Sequence, residues 1–266
     1  MTELVFLKLG GSLITDKRRP GVFRRRLTRR LAREVREALK NRPDLQLVLG
    51  HGAGSFGHIV AHKYHVQTGV TNWMGYAETS AMANHLNRLV AGIFLTEGVP
   101  VVSVQPSASA QATAGRLVSM AEWPVEELLR HGLVPLVYGD VALDTEWGTT
   151  IISTEMIFAY LARALHPSRI ILAGEVNGVF TSDPNKDPRA QPIPEISRAN
   201  AAQVIQVLSG SHGVDVTGGM ASKVMLMLAL VRELGDLRVA LLSGIHPGRV
   251  RAALLGEPVR GTVIHP

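Results

Sequence analysis

A lysine at the end of an apolar run, with two glycines after it, is the first group of residues able to do chemistry. Lys8 lies within the apolar run 4–9, and Gly10, Gly11 and Ser12 follow directly. A buried ammonium group is costly without an anionic partner, and consecutive glycines let backbone N–H groups approach an anion closely. The segment favours a phosphate cradle, although a lysine that reaches solvent beside an ordinary turn is an alternative. It is neither a Walker A loop nor a GxGxxG dinucleotide fingerprint.

A second glycine-rich segment, 50–58, follows the apolar run 45–49 and contains four glycines. So many glycines suit a loop whose backbone presses against a ligand. His58 closes the segment, near the predicted start of a helix. We interpret His58 as a ligand-binding residue, while the alternative is an ordinary core or solvent-facing histidine.

Two later segments add turns that follow strands or precede helices. The segment 174–184 follows the apolar run 169–173 and carries turn signals, which alone indicate only a structured loop. In the segment 215–223, Gly219 directly precedes a predicted helix and Lys223 lies within its first turn. A helix N-terminus beside a lysine suits an anion, although a capped helix with a surface lysine is the alternative.

Apolar runs of strand length alternate with segments of helical period along the whole chain. The runs are mostly continuous, which is typical of a parallel sheet covered on both faces. The predicted strands are 4–9, 45–49, 99–104, 133–138, 169–173 and 237–242. The predicted helices are 24–41, 77–97, 122–131, 153–165, 197–208, 220–234 and 247–255. This alternation predicts an α/β fold, an open αβα sandwich with a mainly parallel central sheet, whose ligands bind beyond the carboxyl ends of the strands.

Composition restricts the class of protein. The chain has 266 residues, 46% of them hydrophobic, no cysteine and a formal net charge of +6. We expect a folded cytoplasmic protein without disulfides, without a signal peptide and without a membrane span, because the longest apolar run, 224–231, is too short. The arginine-rich segment 24–41 has leucine or valine every four residues from Leu27 to Leu39, which indicates an amphipathic helix with a solvated basic face. We therefore expect no nucleic-acid partner, since the interleaved aromatic residues needed for base stacking are missing.

The order of these motifs resembles the amino-acid-kinase family over nearly the whole chain, from Lys8 to Thr262. The version of the loop that ends in His58 resembles isopentenyl phosphate kinases, and also their relatives the fosfomycin kinases. The resemblance implies an amino-acid-kinase fold, a phosphotransferase that uses ATP with Mg²⁺, isopentenyl phosphate as acceptor, and a homodimer. It implies one domain, 1–266, whose lobe 1–167 binds the acceptor and whose lobe 168–266 binds ATP.

The resemblance also assigns roles to individual residues, with none as a protein ligand of the metal. The implied catalytic residues are Lys8, Lys17, His58, Glu155 and Lys223. The implied ATP site consists of Lys8, Gly10, Gly11, Ser12, Ala53, Gly174, Glu175, Phe180, Asp183, Pro184, Gly219 and Lys223. The implied acceptor site consists of Gly52, Ala53, Gly54, Gly57, His58 and Thr154. Around it we expect a hydrocarbon pocket built on flanking helices from Tyr76, Met82, Ile151 and Met156.

The chain departs from the family pattern at a few of these positions. The family usually has Ser-Gly-Asp where this chain has Ser153-Thr154-Glu155. Glu155 keeps the carboxylate that orients the lysines on a longer arm, and Thr154 is expected to place a side chain near the acceptor phosphate. Ala53 replaces a frequent glycine, and Glu175 stands in a region where aspartate is common. The open alternatives are a kinase for another small phosphate, phosphonate or carboxylate, such as fosfomycin kinase, and a non-catalytic nucleotide or oxyanion binder.

Overall fold

The computed structural model describes residues 2–16, 19, 21–64, 66, 69, 73–210 and 219–266; the side chains of residues 58, 59, 62, 209 and 210 lie outside that description. In this part of the chain the strands are β1 (Glu3–Leu9), β2 (Leu45–His51), β3 (Val101–Ser103), β4 (Gln111–Thr113), β5 (Arg116–Ser119), β6 (Val134–Tyr138), β7 (Asp140–Asp144), β8 (Gly148–Ile152), β9 (Arg169–Gly174), β10 (Val179–Phe180), β11 (Pro192–Ile193), β12 (Glu195–Ile196), β13 (Arg238–Ser243) and β14 (Gly261–Ile264).

The helices of the described residues cover most of the segments with helical period. They are α1 (Gly11–Ile14), α2 (Arg25–Asn41), α3 (Gly54–Lys63), α4 (Trp73–Thr96), α5 (Trp123–Arg130), α6 (Thr154–Leu165), α7 (Ala201–Gly210), α8 (Met220–Leu234) and α9 (Arg249–Leu255). A 3₁₀ turn, Pro106–Ala108, follows β3. None of the helices in these described ranges is long and apolar enough to span a bilayer.

Eight strands form the main sheet in the order β12–β14–β13–β9–β1–β2–β6–β3. Strands β13, β9, β1, β2, β6 and β3 are parallel to one another, whereas β14 pairs antiparallel with β13 and carries β12 parallel to itself. The prediction of a mainly parallel sheet is therefore confirmed. All six strands predicted from apolar runs are present in it.

Helices cover both faces of the main sheet, as the continuous apolar strands require. Because side chains alternate between faces along a strand, Phe6 packs into one core with α6 and α8. Its neighbours Val5 and Leu7 pack into a second core with α2, α4 and α9. The predicted open αβα sandwich is confirmed by these two separate cores.

A smaller four-stranded sheet, in the order β5–β4–β7–β8, was not predicted. Its strands are three to five residues long and rich in small and polar residues. The carboxylate of Asp144 joins its two hairpins by accepting hydrogen bonds from the backbone N–H groups of Ala114 at 3.0 Å and Gly115 at 2.8 Å. Its β7–β8 hairpin connects β6 of the main sheet to the N-terminus of α6.

The arginine-rich segment forms the amphipathic helix α2, and its basic residues pair with carboxylates. Arg33 Nε lies 2.8 Å from Glu97 Oε2, and Arg30 pairs with Glu34 one turn away. Glu34 also accepts hydrogen bonds from backbone N–H groups at the start of α9. These contacts hold α2 against its neighbours and give these arginines of the basic segment a structural role.

Candidate functional site

The register of the central strands brings three of the predicted motifs to one edge of the sheet. Strand β1 lies between β2 and β9, with Lys8 opposite Gly50 on one side and Leu172 on the other. All three strands run in the same direction, so their carboxyl ends coincide. The glycines that follow β1 therefore lie between the loop after β2 and the loop after β9.

The glycine turns after β1 and β2 touch each other directly. A Cβ atom added to Gly11 would lie 2.4 Å from the backbone nitrogen of Gly54, and one added to Gly52 would lie 2.8 Å from the nitrogen of Gly11. Gly10 N donates a hydrogen bond to Ala173 O at 2.7 Å, which fixes the same turn to β9. Only glycine allows this approach, and it leaves a backbone-lined edge suited to an anion.

Thr15 joins these turns and was missed by the sequence analysis. Its hydroxyl donates to Gly11 O at 2.8 Å and accepts from the backbone N–H of Ser55 at 3.0 Å. Thr15 is fully buried. A threonine four residues after a glycine carries no distinctive signal in the sequence, so only the fold reveals this role.

Three charged side chains meet beside the glycine turns. Lys8 Nζ donates a hydrogen bond to Glu155 Oε2, and Lys223 Nζ lies 3.1 Å from Glu155 Oε1. Lys8 and Glu155 are buried, whereas the Lys223 side chain keeps 29% of its exposure. The structure thus brings together three of the five predicted catalytic residues, from β1, α6 and α8.

The electrostatics of this cluster depend on burial and on mutual charge. Burial lowers the pKa of the Lys8 ammonium group to about 8; the Glu155 carboxylate opposes that shift, and the Lys223 charge adds to it. For Glu155, burial alone would raise the pKa, but the charges of Lys8 and Lys223 outweigh it and hold the pKa well below its usual range. The carboxylate therefore remains ionised, and the two ammonium groups leave one excess positive charge for a ligand.

The N-terminus of α6 positions Glu155. Ser153 caps the helix, and its hydroxyl accepts the N–H of Met156 at 3.2 Å. Thr154 is 1% exposed, its hydroxyl donates to His51 O at 2.7 Å, and its methyl group occupies the space where a Cβ on Gly50 would be. Its side chain is therefore committed to the protein interior, which differs from the expected place near an acceptor phosphate.

The remaining glycine-loop residues have definite places. The carbonyl oxygen of Ala53 accepts the N–H groups of Phe56 and Gly57 as α3 begins, and Ser12 lies in α1. His58 belongs to α3 by its backbone, but its side chain lies outside the described residues, as does the whole of Lys17.

The remaining residues expected to bind ATP lie in the C-terminal half. Gly174 ends β9 opposite Ser243 of β13. Glu175 Oε1 accepts a hydrogen bond from Arg24 at 2.8 Å, and its carbonyl oxygen accepts one from the Ser243 hydroxyl at 2.8 Å. Gly219 directly precedes α8 and accepts the N–H of Lys223 at 3.2 Å. Beyond this edge the segment continues through Phe180 of β10 to a turn with the half-buried Asp183 and the exposed Pro184. The Asp183 carboxylate accepts the backbone N–H of Asn185.

The four residues expected to form the hydrocarbon pocket do not share one cluster. Tyr76 and Ile151 pack against the same small group of Ala61, Val66 and Val141. Met82 packs against the core on the α2–α4 face, and Met156 against the core on the α6–α8 face. Ile151 also lies on strand β8, so its prediction as a helix residue is wrong.

Polar side chains on α4 line the same end of the sheet and were not predicted. Asn84 Nδ2 lies 3.1 Å from Gln105 Oε1 and 3.3 Å from the Tyr138 hydroxyl. Asp140, which is 2% exposed, accepts the backbone N–H of Ser107 at 3.2 Å, and burial raises its pKa. Asparagine and serine residues at helical spacing could have indicated this polar side of α4, but ordinary surface helices carry the same pattern.

The described residues offer no protein-built metal centre. Among them, no three histidine, cysteine, aspartate or glutamate side chains come together. Glu155, the one carboxylate in the lysine cluster, already bears two ammonium contacts. The residues present do not fit a metal held by the protein itself.

Comparisons with known proteins agree with this geometry. A model of the Amino acid kinase family matches residues 3–243. The isopentenyl phosphate kinase of Methanothermobacter thermautotrophicus is 36% identical over 272 aligned positions, which cover 98% of this chain and 98% of the relative. That of Methanocaldococcus jannaschii is 33% identical over 270 positions, with the same coverage of both chains.

Solved structures give the same relationship. A chain from the X-ray structures of isopentenyl phosphate kinase superposes with a TM-score of 0.84 at 34% identity, covering 98% of this chain and 100% of the other. An isopentenyl phosphate kinase substrate complex superposes with a TM-score of 0.78 at 27% identity, covering 100% of both. The relatives named above, which the chain matches over nearly their whole length, are isopentenyl phosphate kinases. The chain therefore belongs to the amino acid kinase family.

Proposed function

We propose that this chain transfers the γ-phosphoryl group of ATP to isopentenyl phosphate, giving ADP and isopentenyl diphosphate. The observation that carries the proposal is the cluster of the buried Lys8 and Glu155 with the partly exposed Lys223, beside two touching glycine turns. Its excess positive charge and the backbone-lined edge suit a polyphosphate. The acceptor is taken from the relatives that match the chain along its length.

The reaction requires positioning and charge neutralisation more than acid–base chemistry. The bond between the γ-phosphorus and the β,γ-bridging oxygen breaks, and an acceptor phosphate oxygen forms the new P–O bond in line with it. A phosphate monoester has a second pKa of about 6, so it is already a dianion near neutral pH and needs no general base. Lys8 and Lys223 neutralise the charge that spreads over the phosphate oxygens.

Lys17 and His58 complete the proposed constellation, on the strength of their positions in the motifs. Lys17 would stabilise the transferring phosphoryl group, and His58 would donate a hydrogen bond to the acceptor phosphate. We expect His58→Ala to abolish phosphorylation of isopentenyl phosphate while ATP binds with nearly native affinity. His58→Gln should retain some activity, because an amide donates a hydrogen bond but carries no charge.

The two halves of the sheet are proposed to divide the substrates between them. Strand β1 and the strands on its β2 side belong to the lobe 1–167, and β9 with the strands on its far side to the lobe 168–266. The acceptor would lie against the first lobe, and ATP against the second. Lys8 stands next to their boundary, where the two phosphate groups must meet.

Mg²⁺ is proposed to arrive with the nucleotide. Mg²⁺ in kinase sites is commonly bound by substrate phosphates and water with few protein ligands, which agrees with the lack of a metal-binding cluster in the described part of the chain. A homodimer and a cytoplasmic location remain parts of this proposal, taken from the resemblance and from the absence of cysteine.

A coupled assay of ADP release tests the acceptor. The panel consists of isopentenyl phosphate, dimethylallyl phosphate, fosfomycin, acetylglutamate and UMP. We expect kcat/KM to be higher for isopentenyl phosphate than for fosfomycin or acetylglutamate, because burying a five-carbon tail contributes about 0.8 kcal/mol per CH₂. A higher value for fosfomycin or acetylglutamate would overturn the acceptor but not the fold. ATP binding without ADP release for every compound would favour a non-catalytic nucleotide binder.

A further inference from the structure

His51, the last residue of β2, is a fully buried polar side chain in the middle of the site that has been given no role. It is 0% exposed and directly precedes the glycines of the second turn. Its ring stacks on that of Tyr138, with ring centroids 5.5 Å apart and planes inclined by 8°. A buried polar side chain at this position is retained only if its hydrogen bonds are satisfied.

Both ring nitrogens of His51 have partners, and these partners determine the tautomer. Nδ1 lies 3.1 Å from Gly52 O, which can only accept, so the proton is on Nδ1. Nε2 lies 3.2 Å from Asn87 Nδ2 and must then accept. Asn87 is oriented in turn by its Oδ1, which accepts the Ser103 hydroxyl at 2.5 Å. A chain of donors therefore runs from β3 through α4 to the glycine turn.

The backbone of His51 connects the same turn to the helix that carries Glu155. Its carbonyl oxygen accepts the Thr154 hydroxyl at 2.7 Å and the Gly139 N–H at 3.0 Å. His51 is thus held from three sides. The loop after β2, the loop after β6 and the N-terminus of α6 meet at this one residue.

The bond from the imidazole to Gly52 has a consequence for the next peptide. The described residues contain no cis peptide bond, and in a trans peptide the N–H points opposite to the C=O. With Gly52 O held towards His51, the Ala53 N–H points away from it. The imidazole therefore determines which way the first amide of the acceptor loop faces.

We propose that His51 is a positioning residue, whose neutral imidazole orients the Gly52–Ala53 peptide so that its N–H can receive the acceptor phosphate. This rests on the proposed function, since the acceptor loop has no task without an acceptor. It assigns the two histidines of the segment 50–58 different duties. His51 acts through the backbone and stays uncharged, whereas His58 is the one proposed to contact the ligand.

Two amide substitutions separate positioning from simple filling of space. In His51→Asn, the amide nitrogen can take the place of Nδ1 and keep the bond to Gly52 O. In His51→Gln, the amide reaches towards Asn87, but the donor to Gly52 is lost. We expect kcat/KM for isopentenyl phosphate to fall about tenfold more in the glutamine variant than in the asparagine variant, with KM for ATP similar in both.

A space-filling role predicts the opposite order, because glutamine is nearer in volume to histidine. Equal kcat/KM values in the two variants, or a better glutamine variant, would therefore overturn the proposal. Thermal unfolding of both variants is measured alongside, and rates are compared only per folded molecule. The same comparison is made with whichever acceptor the panel identifies as best.

Nitrogen NMR of the free wild-type protein tests the proposal without any turnover. At pH 6 the His51 ring should be neutral with its proton on Nδ1, although an ordinary histidine is substantially protonated there. A ring with its proton on Nε2, or a protonated ring, would overturn the proposal. If wild type does not phosphorylate isopentenyl phosphate, the proposed function fails, while this measurement still decides whether the His51 ring is neutral with its proton on Nδ1.

Discussion

Glu155 Oε1 lies 3.1 Å from the ammonium nitrogen of Lys223, while the other oxygen of the same carboxylate accepts a hydrogen bond from Lys8. One side chain from α6 thus holds two cations that come from β1 and α8, positions far apart in the sequence. Without it, the two ammonium groups would repel each other. Glu155 is for this reason the residue on which the geometry of the phosphate site depends most.

Replacing Glu155 by glutamine should therefore reduce turnover about a hundredfold and also weaken folding. Removing one partner of a buried ion pair costs about 3–5 kcal/mol, because the other charge is left uncompensated.

Without the carboxylate the pKa of Lys8 should fall further, so the remaining activity of the variant should rise as pH is lowered from 8 to 6. Steady-state kinetics across that range measure it. Glu155→Asp, which keeps the charge, is the control and should retain more activity at every pH.

The pKa of Lys8 predicts an alkaline limit to activity in the wild type. Its value of about 8 means that the ammonium group loses its proton as pH rises above 8, and kcat/KM for ATP should fall there. Bound triphosphate favours the charged form, so the decline in kcat should begin at higher pH than the decline in kcat/KM.

Lys8→Arg serves as the control for this pH profile. A guanidinium group stays charged throughout the range, so the variant should lack the decline near pH 8, whatever its absolute rate. A decline that persists unchanged in Lys8→Arg would show that another group causes it.

The sequence predicts the main sheet well because its strands carry their signal locally. The run 4–9 is apolar at nearly every position, and it forms β1 with both faces buried. Strand β7, by contrast, has aspartate at both ends. The hairpin that it forms with β8 contains many small and polar residues, so it has no continuous apolar run. Such strands are stabilised by partners distant in the chain, as when Asp144 binds the turn after β4, and no local pattern reveals this.

The site shows the same division between local and distant information. The glycines and lysines are visible as motifs, because turn geometry and charge are properties of short segments. The direction of the Thr154 side chain depends on how the start of α6 is rotated against His51, which only packing determines. The same reason explains why Thr15 and Asn87 were missed, since each acts through hydrogen bonds to backbone or to a buried ring.

Burial of His51 predicts a pH dependence of stability. Burial lowers its pKa from 6.5 to about 4, so between these values the unfolded chain binds a proton that the folded protein does not. The stabilisation is complete above pH 6.5 and is lost as pH falls towards 4. From pH 7 to pH 5, this group alone should lower the free energy of unfolding by about 2 kcal/mol.

Urea unfolding at pH 7 and pH 5 measures this effect, and His51→Asn isolates it. The variant lacks the titrating ring, while every other ionisable side chain is the same in both proteins. Wild type should therefore lose about 2 kcal/mol more than the variant on acidification. Equal losses in the two proteins would mean that the His51 ring is not held neutral by the fold.

The contact between the two glycine turns gives the last prediction. A methyl group on Gly11 would lie 2.4 Å from Gly54 N, a backbone atom that cannot turn aside. Gly11→Ala must therefore separate the turns, at a cost of about 1–3 kcal/mol in stability. Because the phosphate cradle consists of these two backbones, KM for ATP should rise about tenfold or more.

Gly92→Ala is the matched control for the same chemical change. Gly92 lies on the exposed side of α4 with no atom within 4 Å of an added Cβ, so alanine there should leave kinetics unchanged and stabilise the helix by about 0.5–1 kcal/mol. Thermal unfolding and ATP kinetics of the two variants are compared directly. If Gly11→Ala bound and used ATP as Gly92→Ala does, the touching turns would not form the phosphate site, and the lysine cluster would have to bind its anion from another side.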